Sequence, residues 1–438
     1  MKAHQLKAAA VLAFGFAVGV APARSSIPVS GDPVRFWQDV MIGSIALPPD
    51  LAGHPYAMVD VAMFDAVNQA AGKRYHGYIA GLSTAGGDMR AAASQAAHDV
   101  LVQVNPGGKA GYDTALAASL ALVPDSAAKT SGISTGATVA AAVLSKRAGD
   151  GFGAPYTYTP SGLPGGWAPT PDEMIPAQFK FLGSTDPWVI ASPSSLRPGP
   201  PPALDSAAYT AAFNEVKSLG SATSLTRTAD QTAAAQFIAG VNSPFERTSL
   251  NAAETAGLSS LASARLFAMA SVAYADSVTS VFEAKYHYDF WRPVTAIRAA
   301  NSDGNPDTVA DPGWHALVFT PPFPSYSSAA TGTAAAYDGV LENFLGPNYH
   351  FCLDGPTTRC WNRLSDATTE FANARVWGGV HWRFDVDASL GIGASVSEEV
   401  LGARAFAAVP EPASWAMLLI GFGAIGYQSR RRRVVVAA

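Results

Sequence analysis

The stretch KYHYDFWRP, residues 285–293, places two basic side chains at the end of a long apolar run. The apolar residues of that run recur at helical spacing and include Leu258, Leu261, Leu266, Met269, Val272, Val278 and Phe282. Lys285 and Arg292 are seven residues apart, so a continuous helix would present both on one face until Pro293 ended or kinked it. This basic segment therefore predicts a helix that carries two cations, although a solvated basic face is the alternative for the segment alone.

A second segment, PPFPSYSSAATGT (residues 321–333), is rich in proline and serine. Prolines followed by small residues are typical of a turn that opens onto a helix N-terminus, where backbone N–H groups and the helix dipole favour anions. Ser325, Ser327 and Ser328 add hydroxyl donors. This serine segment predicts an anion site, and an ordinary capped helix start is the alternative.

A third segment, ARVWGGVHWRFDV, places Arg375 and His381 six residues apart on a predicted helix. Gly378 and Gly379 would let the backbone approach a ligand closely. Asp385 follows His381 by four residues, which suits a hydrogen bond that fixes the imidazole tautomer. A lone histidine is usually a satisfied core residue, but this histidine segment does not stand alone.

Taken together, the three segments predict one oxyanion pocket. Two guanidinium groups and one ammonium group, with serine hydroxyls, suit the paired oxygens of a tetrahedral anion such as phosphate or vanadate. An imidazole can attack or ligate the central atom. The sequence therefore indicates chemistry at this place rather than a purely structural role.

The segments resemble the signature motifs of the vanadium-dependent haloperoxidase and type 2 phosphatidic acid phosphatase superfamily. The matching stretches are KYHYDFWRPVTAIR, DGNPDTVADPGW followed by TPPFPSY, GGVHWRFDV and, near Asp65, AMFDAVN. The likeness is specifically to bacterial haloperoxidase-like secreted proteins and spans most of the chain. It implies an all-α fold of helical bundles around the anion site.

The resemblance also implies roles for individual residues. The oxyanion ligands would be Lys285, Arg292, Ser328 and Arg375. His381 would be the axial ligand of a vanadate cofactor or a transiently phosphorylated nucleophile, and Asp385 completes the candidate catalytic pair. Phe282 and Phe323 match aromatic positions on the family's halide side.

The serine segment departs from the family pattern Pro-Ser-Gly-His, because Ala329 and Ala330 replace its glycine and histidine. That histidine is the family's general acid–base, a group that contributes roughly 10²- to 10⁴-fold to rate. No histidine follows within a dozen residues, so His287, His315 or His350 would have to fold back to replace it. The resemblance thus implies retained oxyanion binding and impaired turnover.

Three functions stay open at this point. Peroxide-dependent halide oxidation with bound vanadate and phosphoester hydrolysis through His381 would share the pocket, because vanadate and phosphate share charge and shape. A non-catalytic phosphate- or vanadate-binding protein, or a surface-matrix protein that keeps the fold, is the alternative. Charged residues are 14% of the chain and its formal net charge is -5, which argues against nucleic acid as a partner.

The N-terminus predicts a secretory signal. Lys2 and Lys7 precede an apolar run, residues 8–20, and residues 21–23 (Ala-Pro-Ala) fit the small-x-small rule for cleavage before Arg24. A short membrane anchor is the alternative, but about 13 apolar residues are few for a span. An exported chain favours a disulfide between its two cysteines, Cys352 and Cys360, over two free thiols.

The C-terminus carries VPEPASWA (residues 409–416), an apolar run (417–427) and four arginines (430–433). This order resembles the PEP-CTERM signal, which implies export by a Gram-negative bacterium, processing by an exosortase and residence in the periplasm or at the cell surface. The apolar run is short for a span, which fits a transient membrane anchor. A degenerate amphipathic tail is the alternative.

Few strands are expected, because no sustained alternation of β-branched residues occurs. Helices are predicted at residues 55–71, 91–104, 112–121 and 228–239, from near residue 206, and from a capping-box-like start at 251–254. The predicted divisions are a signal peptide (1–23), an N-terminal helical half (24–249) with a Gly/Pro-rich excursion (151–202), a catalytic helical half (250–407) and the sorting tail (408–438).

Overall fold

The computed structural model describes residues 27–241 and 244–410, so the predicted signal peptide and nearly all of the sorting tail lie outside the described residues. The described helices are α1 Pro33–Ser44, α2 Pro49–Ala70, α3 Met89–Val104, α4 Lys109–Ala121, α5 Ala127–Arg147, α6 Ala207–Leu219, α7 Ala229–Gly240, α8 Pro244–Thr255, α9 Ser260–Tyr288, α10 Pro293–Arg298, α11 Ala329–Leu345, α12 Leu364–Trp377 and α13 Arg383–Gly402. The predicted all-α helical-bundle class is confirmed.

The described strands form one small hairpin. Strands β1 (Phe351–Asp354) and β2 (Thr358–Trp361) pair antiparallel, with Cys352 opposite Cys360. These two cysteines are joined in a disulfide. Phe351 and Trp361 turn inward, and Trp361 meets Phe371 of α12 with ring centroids 6.4 Å apart. The hairpin is thereby fixed to α12.

Helix α9 is the central element and packs against α2, α11 and α13. Nearly every residue from Ser263 to Lys285 is buried, which explains why its sequence is apolar or small on all faces. The core that surrounds it draws buried residues from α1 to the segment after α13, including Trp37, Phe64, Phe267, Val340 and Phe406. The N-terminal helices and the predicted catalytic half therefore share one hydrophobic core.

The excursion at residues 151–202 contains no α-helix and lies against α9. Buried Asp276 accepts the backbone N–H groups of Trp188 at 2.6 Å, Val189 at 2.8 Å and Ile190 at 3.1 Å. Gly183 lies so close that a Cβ there would come within 2.7 Å of the Glu283 nitrogen. The excursion thus covers the end of α9 that carries Lys285.

The basic segment is not one helix, contrary to the sequence prediction. Helix α9 ends at Tyr288, and Asp289 adopts a left-handed conformation with φ 52°. Arg292 is extended and precedes Pro293, which begins α10 instead of ending α9. A residue before proline is disfavoured in the helical region, and proline is favoured at a first helical position. Lys285 and Arg292 therefore reach the site from two elements.

Two further helix predictions were wrong. Residues 251–254 lie inside α8, and the next helix starts after Ser259, whose hydroxyl accepts the N–H of Ala262 at 3.3 Å. The histidine segment is also divided, because α12 ends at Trp377 and Gly379 takes a positive φ of 80°. That turn puts His381 in a loop before α13.

The last described residues lie against the N-terminal half. Ala408 bridges to Tyr75, the Val409 N–H donates to the Arg74 carbonyl at 2.9 Å, and the His76 N–H donates to the Ala407 carbonyl at 2.9 Å. The sorting tail therefore starts from a fixed place. Among the described helices, none is long and apolar enough to cross a membrane.

Candidate functional site

The three segments meet beside the C-terminal end of α9. Lys285 and Arg292 are fully buried there, and both hold the serine segment through backbone carbonyls. Lys285 Nζ donates to the carbonyls of Pro324 at 2.9 Å and Ser325 at 3.0 Å, and Arg292 Nε donates to that of Phe323 at 2.8 Å. The two cations thus fix the loop that precedes α11.

His381 lies between a carboxylate and a guanidinium group. Its Nδ1 donates to Asp385 Oδ2 at 2.8 Å, and Arg292 Nη1 donates to its Nε2 at 3.1 Å. Asp385 also accepts the Ser325 hydroxyl and, at 3.1 Å, the Trp382 N–H. This arrangement holds the imidazole neutral, with an unprotonated Nε2 directed at the basic side chains. Asp385 is accordingly a positioning residue.

Several buried donors of the site have no hydrogen-bond partner within the described part of the chain. They are Arg292 Nη2, Arg375 Nε and the Ser327 hydroxyl. Unpaired buried donors are costly, by about 1–3 kcal/mol each, and buried polar groups are nearly always paired. A tetrahedral oxyanion would supply acceptors for all three, so these residues fit phosphate or vanadate.

Ser328, a predicted oxyanion ligand, is hydrogen-bonded within the chain. Its N–H is not free, because it donates to Ser389 Oγ at 2.6 Å. Its hydroxyl accepts a hydrogen bond from Thr331 Oγ1 at 3.0 Å. Ser327 has the unpartnered hydroxyl of this turn, and the sequence motif alone did not distinguish the two serines.

The electrostatics are those of a cationic site. Burial lowers the pKa of Lys285 well below its usual value, and the charge of nearby Arg292 lowers it further. Burial also lowers the pKa of Arg292 to about 9 and that of Arg375 to about 10. Burial and then Arg292 lower the pKa of His381 well below its usual value. Burial raises the pKa of Asp385 to about 6 in spite of its hydrogen bonds. An added anion would offset the repulsion among the cations.

Two aromatic rings form one wall of the site. The Phe282 and Phe323 centroids are 5.0 Å apart. Lys285 Nζ lies 5.0 Å and Arg292 Cζ lies 5.1 Å from the Phe323 centroid. Both predicted aromatics are therefore beside the predicted cations, where they exclude water and strengthen electrostatic interactions.

The absent histidine has no replacement among the candidates that the sequence offered. Ala330 is half-buried in the first turn of α11. His287, His315 and His350 are all exposed, and the last two contact Asp172 and Asn362 respectively. None of them folds back into the site.

The charge of one residue that the sequence did not single out acts on the same cations. Asp50 lies in the first turn of α2, and its charge acts on Lys285, Arg292 and Arg375. Burial raises its pKa even though the three cations oppose that shift. No local motif marks this residue, because the interaction joins positions more than 200 residues apart in sequence.

Within residues 27–241 and 244–410, no group of three or more His, Cys, Asp or Glu side chains is placed to hold a metal ion. The candidate centre combines three basic side chains with one imidazole, a set that suits an anion. Bare metal cations would also be repelled by the three basic side chains.

Comparison with known proteins gives two family matches. Residues 265–406 match the VCPO second helical-bundle domain, and residues 408–433 match the PEP-CTERM protein-sorting motif. The vanadium chloroperoxidase of Curvularia inaequalis is 36% identical over 94 residues. That match covers 19% of this chain, and the chain spans only 15% of the length of that curated relative.

Two solved structures share the fold over most of the chain. A bacterial vanadium-dependent iodoperoxidase aligns with a TM-score of 0.71 and 22% identity, over 84% of this chain and 94% of that one. A holo-type bacterial vanadium-dependent chloroperoxidase aligns with a TM-score of 0.67 and 18% identity, over 83% and 94%. Residues 265–406 therefore match the VCPO second helical-bundle domain, in a chain that shares its fold with these vanadium-dependent haloperoxidases and carries a PEP-CTERM sorting motif.

Proposed function

We propose that this protein is an exported oxyanion-binding enzyme that oxidises halide with peroxide, with vanadate as its cofactor. The observation that carries the proposal is the set of unpartnered buried donors on Arg292, Arg375 and Ser327 beside the neutral imidazole of His381. Such a set matches a tetrahedral oxyanion with one open ligand position for nitrogen.

The residues that would hold vanadate are Lys285, Arg292, Ser327 and Arg375 at its oxygens and His381 at the metal. Bound vanadate would supply a Lewis-acidic centre that activates peroxide. Arg292 now donates to His381 Nε2, so it would transfer that hydrogen bond to an oxygen of the incoming anion.

The chain's own groups orient and shield the reactants. Asp385 keeps the His381 proton on Nδ1, which leaves Nε2 as a ligand. Phe282 and Phe323 would exclude water on the halide side. The net reaction converts halide, peroxide and one proton to hypohalous acid and water, so it needs a proton donor, which Ala330 cannot be.

Export is part of the proposal. The PEP-CTERM motif indicates a protein that is exported and sorted to the cell envelope or surface. The substrates would therefore be periplasmic or external peroxide and halide, and an exosortase would process the tail. The Cys352–Cys360 bridge suits that oxidising compartment.

The test combines binding with turnover. Isothermal titration of the purified protein with vanadate and with phosphate should show one site of micromolar to millimolar affinity. Peroxide-dependent bromination should require vanadate, with p-nitrophenyl phosphate hydrolysis as the parallel assay. Vanadate binding without bromination, but with phosphoester hydrolysis, would reject halide oxidation in favour of phosphoryl transfer. Absence of any oxyanion binding would reject the site itself.

A further inference from the structure

The short stretch that joins α9 to α10, here called the junction (residues 289–292), pairs with the excursion. The Trp167 N–H donates to the Asp289 carbonyl at 2.8 Å, and the Trp291 N–H donates to the Gly165 carbonyl at 2.9 Å. These two hydrogen bonds run in opposite directions between the same two segments and flank an isolated antiparallel bridge. The excursion therefore fixes the backbone of the junction directly.

Asp289 is the residue at which α9 stops. It has φ 52° and ψ 39°, and its N–H still donates to the Lys285 carbonyl at 2.9 Å. Residues with a Cβ rarely adopt this left-handed conformation, but aspartate does so more readily because its short side chain can form hydrogen bonds nearby. The Tyr158 hydroxyl of the excursion donates to Asp289 Oδ1 at 2.7 Å. The side chain that permits the turn is thus held by the excursion.

The left-handed turn decides where Arg292 points. Arg292 is extended, with ψ 154°, and its Nη1 donates to the Val380 carbonyl at 2.7 Å and to His381 Nε2 at 3.1 Å. If α9 continued through Asp289, Arg292 would lie about 10 Å beyond Lys285 along the helix axis. The turn therefore brings this guanidinium group, with its unpartnered Nη2, to the imidazole.

We propose that Asp289 is a positioning residue of the oxyanion site and that Tyr158 holds it in place. The carboxyl group of Asp289, bound to the Tyr158 hydroxyl, keeps the junction left-handed, and the junction directs Arg292 at the anion. Neither residue is among the oxyanion ligands, so both act through Arg292. The inference rests on the proposed function, because it makes the excursion part of the machinery that binds the oxyanion.

The test compares three substitutions of Asp289 by isothermal titration with phosphate. Asp289→Ala favours continuation of α9, since alanine has the highest helix propensity and lacks the carboxyl group. It should weaken phosphate binding about tenfold, because fewer molecules then have Arg292 in place. Asp289→Gly adopts the left-handed conformation freely, and Asp289→Asn tolerates it and keeps an acceptor, so both should bind phosphate within about threefold of the wild type.

This pattern separates positioning from a purely structural contact. A structural contact alone would lower the free energy of unfolding of Asp289→Ala and Asp289→Gly alike, and the affinity of each folded variant would stay unchanged. Electrostatics alone would act in the opposite direction, since the loss of a negative charge near the cations favours an anion. A tenfold loss in Asp289→Ala that Asp289→Gly avoids therefore reports the turn.

Two further variants complete the experiment. Tyr158→Phe removes only the hydroxyl group and covers the case in which Asp289→Ala does not fold. It should weaken phosphate binding about threefold in the wild-type chain and hardly at all together with Asp289→Gly. Glu283→Gln is the matched control. Glu283 also ties the excursion to α9, since Arg197 Nε donates to its carboxylate at 2.8 Å, but it lies before the turn. Glu283→Gln should not weaken phosphate binding.

A double variant tests whether Asp289 acts through Arg292. In an Arg292→Lys chain, which keeps the charge but not the forked donors, Asp289→Ala should cost less than about twofold in phosphate affinity. An equal loss in both backgrounds would overturn the inference by showing that Asp289 acts on another group.

Other outcomes separate this inference from the proposed function. Undiminished affinity in folded Asp289→Ala, or in Tyr158→Phe where Asp289→Ala does not fold, would overturn the role of Asp289 and leave the oxyanion site standing. An equal loss of affinity in Asp289→Gly and Asp289→Ala would do the same. Absence of both phosphate and vanadate binding in the wild-type chain would overturn the proposed function, and this inference with it.

Discussion

Two clusters of titratable groups are buried along helix α9, and burial shifts their pKa values in opposite directions. In its middle, Ser271 donates to buried Asp60, and the charge of Asp60 acts on buried Glu246. At its end lies Lys285, with Arg292 close enough to lower its pKa. Asp60 Oδ1 and Glu246 Oε1 lack hydrogen-bond partners in the described chain, as do Arg292 Nη2 and Arg375 Nε. Unpartnered polar atoms therefore occur in both clusters.

The difference lies in what each cluster can do without a ligand. Burial raises the pKa of Asp60 to about 7 and that of Glu246 to about 8, so both acids can become neutral by binding a proton. The lowered pKa values of Arg292 and Arg375, about 9 and about 10, still leave the guanidinium groups charged at neutral pH. Only the cationic cluster needs a counterion from outside, which is why we place the site there.

The largest expected effect on oxyanion affinity tests this need directly. Arg375→Ala should weaken phosphate and vanadate binding by about 100-fold or more, because charge-assisted hydrogen bonds to a doubly charged anion are lost. Isothermal titration measures the change. Arg359→Ala is the control, since Arg359 pairs with Asp230 and Glu370 near the hairpin. Undiminished affinity in Arg375→Ala would remove this residue from the site.

The next effect concerns rate. Restoring the family pattern with Ala329→Gly and Ala330→His should raise bromination turnover by about 10-fold or more, below the usual contribution of a general acid. Ala330 is half-buried in the first turn of α11. No gain in a variant that still binds vanadate would mean that another group already supplies the proton.

Local sequence patterns identified residues of the site but not how these residues are arranged. Of Arg375, His381 and Asp385, the last two form the hydrogen bond that their spacing predicted. They are four residues apart at the start of a helix, which brings their side chains together. The single helix that was expected to carry both Lys285 and Arg292 does not form, because α9 ends where Asp289 adopts a left-handed conformation. Local propensity disfavours that conformation, so it depends on tertiary packing and the sequence did not predict it.

Long-range neighbours were out of reach for a different reason. Asp50 follows two prolines in an ordinary helix start, and nothing in its neighbourhood indicates three cations more than 200 residues later. Likewise, the sequence does not distinguish Ser327 from Ser328, since their difference depends on Ser389 of α13. Patterns in a single sequence indicate which residues share a helix face and where a helix is capped, whereas these contacts depend on how whole helices pack.

The acidic cluster should affect stability instead of binding. Both acids bind more protons in the folded than in the unfolded chain between about pH 4 and their raised pKa values, so their contribution to stability falls as pH rises through 7 and 8. The free energy of unfolding of Asp60→Asn and of Glu246→Gln, each measured relative to the wild-type protein, should therefore be higher at pH 8 than at pH 5, by up to about 3–4 kcal/mol. Chemical denaturation at the two pH values measures this.

Exposed Glu254, on the same helix as Glu246, supplies the control for that experiment. Glu254→Gln should show almost no change in relative stability between the two pH values. A pH-independent gain in Asp60→Asn would mean that packing, and not proton binding, limits stability there. Oxyanion affinity should stay at its wild-type value in all three variants.

The smallest expected effect on oxyanion affinity concerns the hairpin. The Cys352–Cys360 bridge closes a loop of eight residues, so replacing both cysteines by serine should lower the free energy of unfolding by about 2.5 kcal/mol. Phosphate affinity should hardly change, although Phe371, which meets Trp361 of the hairpin, lies one turn before Arg375 on α12. Mass spectrometry of exported material with and without reductant would confirm that the bridge forms in the cell. A large loss of affinity in the serine variant would mean that the hairpin helps to hold Arg375, and that the cationic cluster depends on a cross-link as well as on its anion.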